Sequence, residues 1–77
     1  MHIRVLSPEA LLLDTESPQV LLRTPVGEMG VLDRHAASVG LCLPGALRYQ
    51  EHGEWKELPI KGGTYEIRSS QLLVFTA

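Results

Sequence analysis

Polar and apolar residues alternate in His2-Ile3-Arg4-Val5, in Ala46-Leu47-Arg48-Tyr49-Gln50 and in Tyr65-Glu66-Ile67-Arg68, and less cleanly in Glu54-Trp55-Lys56-Glu57-Leu58-Pro59-Ile60. A period of two sends one face of the chain to a core and the other to water, so each segment is predicted to be a strand. Two continuous apolar runs, Gln19-Val20-Leu21-Leu22 and Leu72-Leu73-Val74-Phe75, predict strands buried on both sides or edges lying against a partner. Between these segments stand Ser7-Pro8, Glu16-Ser17-Pro18, Thr24-Pro25-Val26-Gly27, Pro44-Gly45, His52-Gly53, Gly62-Gly63 and Ser69-Ser70. Each contains a residue that fixes φ, permits positive φ or bonds its own backbone, so each is predicted to be a turn. Short strands with turns about every 8–12 residues make an all-β sandwich or barrel. The turns at Pro44-Gly45 and His52-Gly53 bracket an expected hairpin. One segment points the other way. Ser7-Pro8-Glu9-Ala10-Leu11-Leu12-Leu13 opens like a helix, with a capping serine and proline at the first helical position. Asp14-Thr15 and Pro18 stop it within about two turns, too short to be stable alone, so a turn followed by a short strand is expected there.

Composition narrows the function classes. With 77 residues the chain is expected to be one domain, residues 1–77. The formal net charge is −2 and the seven lysines and arginines are scattered, whereas phosphate neutralisation needs a basic cluster, so nucleic acid is not the expected partner. The longest apolar run, Ala10-Leu11-Leu12-Leu13, is too short to cross a bilayer, and any membrane role would pass through a partner. Cys42 is the only cysteine. It cannot form an internal disulfide, which makes a reducing compartment the natural setting. Its neighbours Leu41 and Leu43 mark it as a buried structural thiol.

Catalytic patterns are missing. His2, His35 and His52 lie far apart and match no metal-ligand spacing. Glu28 with Asp33-Arg34-His35 gathers a carboxylate, a guanidinium and an imidazole within a few residues, and such groups can do acid–base work. Solvated loop charges are the simpler reading. Serines 7, 17, 38, 69 and 70 include no G-x-S-x-G elbow. No G-K-[ST] follows the glycines at 27 and 30 or 62 and 63, so no phosphate-cradling loop is formed. Tyr49, Trp55, Tyr65 and Phe75 fall in separate strands and are expected in the core or at its rim. No cofactor and no metal are expected. By residue chemistry alone the chain is a small acidic β domain that binds rather than catalyses, and a free-standing module for a peptide or carbohydrate is one alternative.

The order of the glycine turns is informative. Val5-Leu6-Ser7-Pro8 is followed by Gly27-Glu28-Met29-Gly30-Val31-Leu32, His35-Ala36, Leu43-Pro44-Gly45-Ala46-Leu47, Ile60-Lys61-Gly62-Gly63, Glu66-Ile67 and a terminal Leu-Val-Phe strand. Across essentially the whole chain this succession resembles the N-terminal β-sandwich domain of the epsilon subunit of F-type ATP synthases, called delta in mitochondria. The chain departs from the family pattern at Asp33-Arg34, where Pro-Gly is usual, at Ala36-Ala37-Ser38, where Ala-Pro-Leu is common, and at Thr64, where a bulky apolar residue usually follows the double glycine.

The resemblance implies a flattened sandwich of two five-stranded sheets attached to the central rotor, without catalysis of its own. It implies a gamma subunit and the membrane c-ring as partners, with a single copy in the complex, and a part in coupling proton or sodium flow to ATP synthesis. Carried over residue by residue, the loop Gly27, Glu28 and Gly30, with His35 at the same end, is expected to face the c-ring. Ser7, Gly40, Leu41, Cys42 and Leu43 are expected to face gamma. The implied location is peripheral, on the cytoplasmic face of a bacterial inner membrane or, second, on a plastid thylakoid. Family members commonly continue into a helical hairpin that inhibits hydrolysis. The sequence stops at Phe75-Thr76-Ala77, so that arm is not expected here.

Overall fold

In a computed structural model, which describes residues 1–77, every regular element is a strand. They are β1 (His2–Leu6), β2 (Leu11–Glu16), β3 (Gln19–Thr24), β4 (Gly27–Leu32), β5 (Ser38–Glu51), β6 (Glu54–Arg68) and β7 (Gln71–Thr76). Hydrogen bonds join all seven in the order β2-β1-β7-β6-β5-β3-β4. All neighbouring pairs are antiparallel except β1 and β7, which run parallel from His2↔Gln71 to Leu6↔Phe75. The all-β expectation holds. A division into two separate five-stranded sheets does not describe the pairing, because β5 and β6 pass unbroken from one half of the fold to the other.

The two halves are layers of one folded sheet. Residues 63–68 of β6 pair with β7, while β3 reaches β5 only through Val20↔Tyr49 and Leu21↔Arg48. One layer therefore holds β2, β1, β7 and the inner ends of the long hairpin, and the other holds β3, β4 and its tip. Alternate side chains of both layers fill one core. Ile3, Val5, Ile67, Leu72 and Val74 from the first meet Val20, Leu22, Val31, Leu47, Tyr49 and Ile60 from the second. Period-two burial is what makes this packing possible, since each strand offers an apolar row to the other layer.

The bend lies where Pro44 faces Lys61 and Cys42 faces Gly63. Pro44-Gly45 and Gly62-Gly63, expected as turns, are corners inside β5 and β6 instead. Breakers on the two paired strands fall at adjacent register positions, so the strands bend together and neither reverses. The hairpin turns only at His52-Gly53. Thr76 closes the corner: its buried hydroxyl accepts from the Lys61 amide at 3.1 Å and donates to the Gly62 carbonyl at 2.9 Å. Thr76→Val keeps the shape and strands both backbone groups, at a cost of about 1–3 kcal/mol. A thermal midpoint unchanged from the parent would remove the hydroxyl from this role.

The remaining expectations divide. Ser7 to Ala10 is a turn, held by the Ser7 amide donating to the Ala10 carbonyl at 2.9 Å, and a strand follows it. Residues 27–32 and 38–43, not read as strands from the sequence, are strands. The layers are also tied at their margin, where the Thr15 hydroxyl donates to the Glu51 carboxylate at 2.5 Å. Hydrogen bonds from Lys56 and then Thr15 hold the Glu51 carboxyl below the usual range.

Candidate functional site

Most of the residues singled out in the sequence come together at one end of the fold. The β3–β4 hairpin tip, with Thr24, Pro25, Val26 and Gly27, stands across an open cleft of about 580 Å³ from Leu41 and Tyr65. Glu28, Met29 and Gly30 form part of its wall. These three lie on a strand rather than in a loop, because 27–32 zips onto β3 from Thr24↔Gly27 to Gln19↔Leu32. The Glu28 carboxylate is not free. It accepts from the Arg48 guanidinium at 2.9 Å, reaching past β3 to β5. Both side chains are exposed, so the pair sets position more than it adds stability.

A second, smaller cleft of about 300 Å³ adjoins the first, since Leu41 and Tyr65 line both. Its other walls are Val39, Gly40, Thr64, Glu66 and Phe75. Gly40 and Tyr65 are cross-strand partners, and the phenol lies where a Gly40 side chain would stand, 2.7 Å from the position of its absent Cβ. The glycine thus lets an aromatic ring fold over the strand toward its open edge.

The outer face of the first layer continues this surface. Leu41 faces Thr64, Thr64 faces Phe75, Phe75 faces Leu6 and Leu6 faces Leu11. Cross-strand neighbours share a face, so these residues form one row across five strand segments. Val39 is 74% exposed, Leu41 60%, Leu11 52% and Phe75 46%. Ser7 follows Leu6 and falls at the same end as Leu41 and Leu43.

Cys42 points the other way. It is 4% exposed and belongs to the core, so it supports the surface from behind and is not part of it. Burial pushes its thiol above the ordinary value of 9.0. The folded chain therefore reacts with a disulfide reagent at pH 8 far more slowly than the unfolded chain. Equal rates would place Cys42 at the surface. The linkage has a sign: burial of the neutral thiol stabilises the fold fully below the unfolded value, and this contribution fades as pH rises toward the folded one.

His35 stands apart. Its amide donates to the Leu32 carbonyl at 2.9 Å, beyond the end of β4 opposite Gly27. Five residue steps at ~3.3 Å separate the ends of that strand by roughly 16 Å. Nor do the acid–base candidates assemble. Glu28 is held by Arg48, Asp33 stands beside the Met1 amino group, and His35 Nδ1 lies 2.8 Å from the Ala36 carbonyl. Tyr49 is buried and Trp55 is 46% exposed, and neither lines a cleft.

Fold and surface together define a small β-sandwich with an apolar, cleft-bearing end and no assembled catalytic group. Residues 1–77 match the family model described as the ATP synthase Delta/Epsilon chain, beta-sandwich domain, and the chain belongs to that family. It is 31% identical over 74 residues to the chloroplastic ATP synthase epsilon chain of Pinus thunbergii, covering 96% of this chain and 54% of that protein. The corresponding chain of Phaeodactylum tricornutum is 35% identical, with 96% and 56% covered. A chain of the Euglena gracilis mitochondrial ATP synthase, solved with OSCP, F1 and c-ring, superimposes with a TM-score of 0.87 at 26% identity, covering 96% of this chain and 48% of that one. The chain spans about half the length of the curated relatives it matches.

Proposed function

We propose that this chain is the β-sandwich module of an epsilon-type central-stalk subunit. In this reading it docks on a gamma subunit and the c-ring and helps couple proton or sodium flow to ATP synthesis, with no catalysis of its own. It works as one copy within the complex, peripheral to a coupling membrane such as the bacterial inner membrane or the plastid thylakoid. The observation that carries the reading is the row Leu41, Thr64, Phe75, Leu6 and Leu11, in which Leu41, Phe75 and Leu11 are exposed and Leu6 is half-buried, with exposed Val39 beside it. A contiguous apolar surface of this kind marks an interaction site, and gamma is its occupant in this reading. The strand residues Gly27, Glu28 and Gly30 then face the c-ring from the neighbouring hairpin. In the same reading the folded sheet is the family's two-sheet sandwich, with β5 and β6 contributing to both sheets.

Two experiments test it. The full chain is expected to capture gamma from solution and to co-purify with the assembled complex; a chain recovered free of gamma from its native membranes overturns the reading. Glu28→Lys places a cation where an acidic residue meets basic c-ring loops. Like charges in contact cost on the order of 1 kcal/mol or more, so ATP-driven ion pumping by the complex falls by about fivefold or more. Unchanged pumping removes Glu28 from that contact.

A further inference from the structure

The first half of β5 is an open sheet edge. β6 is the only strand paired with residues 38–42, since the pairing of β5 with β3 is confined to Tyr49 and Arg48. In an antiparallel strand every second residue turns its N–H and C=O away from the paired neighbour, and on this side nothing takes them. The edge lies between the two clefts. Met29 and Pro25 line one cleft, and Val39, Thr64 and Phe75 line the other, with Leu41 and Tyr65 common to both. Open edges are usually blunted by lysine, proline or a covering loop. Here residues 38–43 read Ser-Val-Gly-Leu-Cys-Leu, with no charge and no proline.

We propose that the partner is held by strand addition: an extended segment of it pairs with the backbone of residues 38–43 and extends the first layer by one strand. This rests on the docking reading above and specifies its mode. An added strand sends alternate side chains to opposite faces, and the two adjoining clefts offer such side chains places to lodge, main-chain bonds giving affinity and pockets giving specificity. The segment that fits is apolar on both faces, because both clefts are lined mainly by apolar groups. One flank is basic. Glu66, the charged side chain in the lining of the second cleft, is already held by Arg68 and retains a second carboxylate oxygen for a lysine or arginine of the partner. Gly40 suits this mode. It brings no side chain of its own to the edge, so an incoming backbone approaches closely while Tyr65 covers it from one face.

Amide hydrogen exchange on the full chain, free and bound to the gamma subunit, tests the inference. Strand addition slows exchange of the outward-facing amides among residues 38–43 by about tenfold or more. The other open edge, residues 54–57 of β6, paired only with β5 and away from the docking row, keeps its free-state rates. If gamma binds and the 38–43 amides exchange as they do in the free chain, strand addition is overturned while the stalk reading stands. If gamma does not bind at all, the reading beneath it falls and the inference falls with it.

Discussion

Gly63→Ala is expected to lower the stability of the domain by about 3–5 kcal/mol, among the largest effects available to a single methyl group. Gly63 has φ +150°, a backbone conformation that a side chain disfavours. The contact is worse than the conformation. An added Cβ would stand 1.9 Å from the Phe75 carbonyl oxygen and 3.1 Å from the Thr76 Cα. Both belong to the backbone of the paired strand β7, so no rotamer change relieves the overlap and β6 and β7 must part. Their separation would also loosen the Thr76 hydroxyl from the corner that it closes. At ~0.05–0.15 kcal/mol per residue a chain of this length holds only about 4–12 kcal/mol in total. The melting midpoint should drop by roughly 12–40 °C, since each kcal/mol moves it by ~4–8 °C in a domain this small. Gly53→Ala is the matched comparison: its φ is +79° but nothing lies within 4 Å of the added carbon, so only the conformational cost of ~1–2 kcal/mol applies. Equal midpoints for the two variants would show that the close approach of β7 is not what fixes glycine at 63.

The same corner explains why part of the fold was legible and part was not. Alternation in His2–Val5 and Tyr65–Arg68 reports one buried face, and this signal is local. Pro44-Gly45 and Gly62-Gly63 have the composition of turns, and local reading assigns them as turns. Pairing outward from His52-Gly53 sets Pro44 against Lys61 and Cys42 against Gly63, which converts two apparent turns into one shared bend. That reflection was available in the sequence once the hairpin was centred. β4 was hidden for a different reason. Gly27-Glu28-Met29-Gly30 has little strand propensity, and it is a strand because β3 offers it a partner in register. The candidate site divides in the same way. Leu41 and Cys42 could be assigned from their flanking residues, one outward and one inward. The hold of Arg48 on Glu28 spans 20 positions and needs the register of three strands, so no local pattern announces it. The separation of His35 from Gly27 likewise follows from reading 27–32 as an extended strand rather than as a loop.

Leu41→Asp should separate docking from folding. Leu41 is 60% exposed on the outer row, and its replacement removes little buried area, so the melting midpoint should move by only a few degrees, in keeping with surface substitutions of about ±0.5 kcal/mol. Binding is another matter. Leu41 lines both clefts and stands in the row that runs through Phe75 to Leu11, the centre of the proposed gamma surface. A carboxylate there would be desolvated on docking against a mainly apolar surface, and centrally buried interface positions of this kind cost ~2–4 kcal/mol when disrupted. Gamma affinity should therefore fall by roughly 30- to 1,000-fold, read by titration calorimetry or by capture at graded gamma concentrations. Trp55→Asp is the control. Trp55 is also half-exposed and apolar, but it is on the tip half of the long hairpin opposite Gln50 and outside both clefts. It should leave gamma binding within about twofold, a change under ~0.5 kcal/mol. If both variants bind as the parent does, gamma does not use the apolar row. If Trp55→Asp alone weakens binding, the docking face is the other layer.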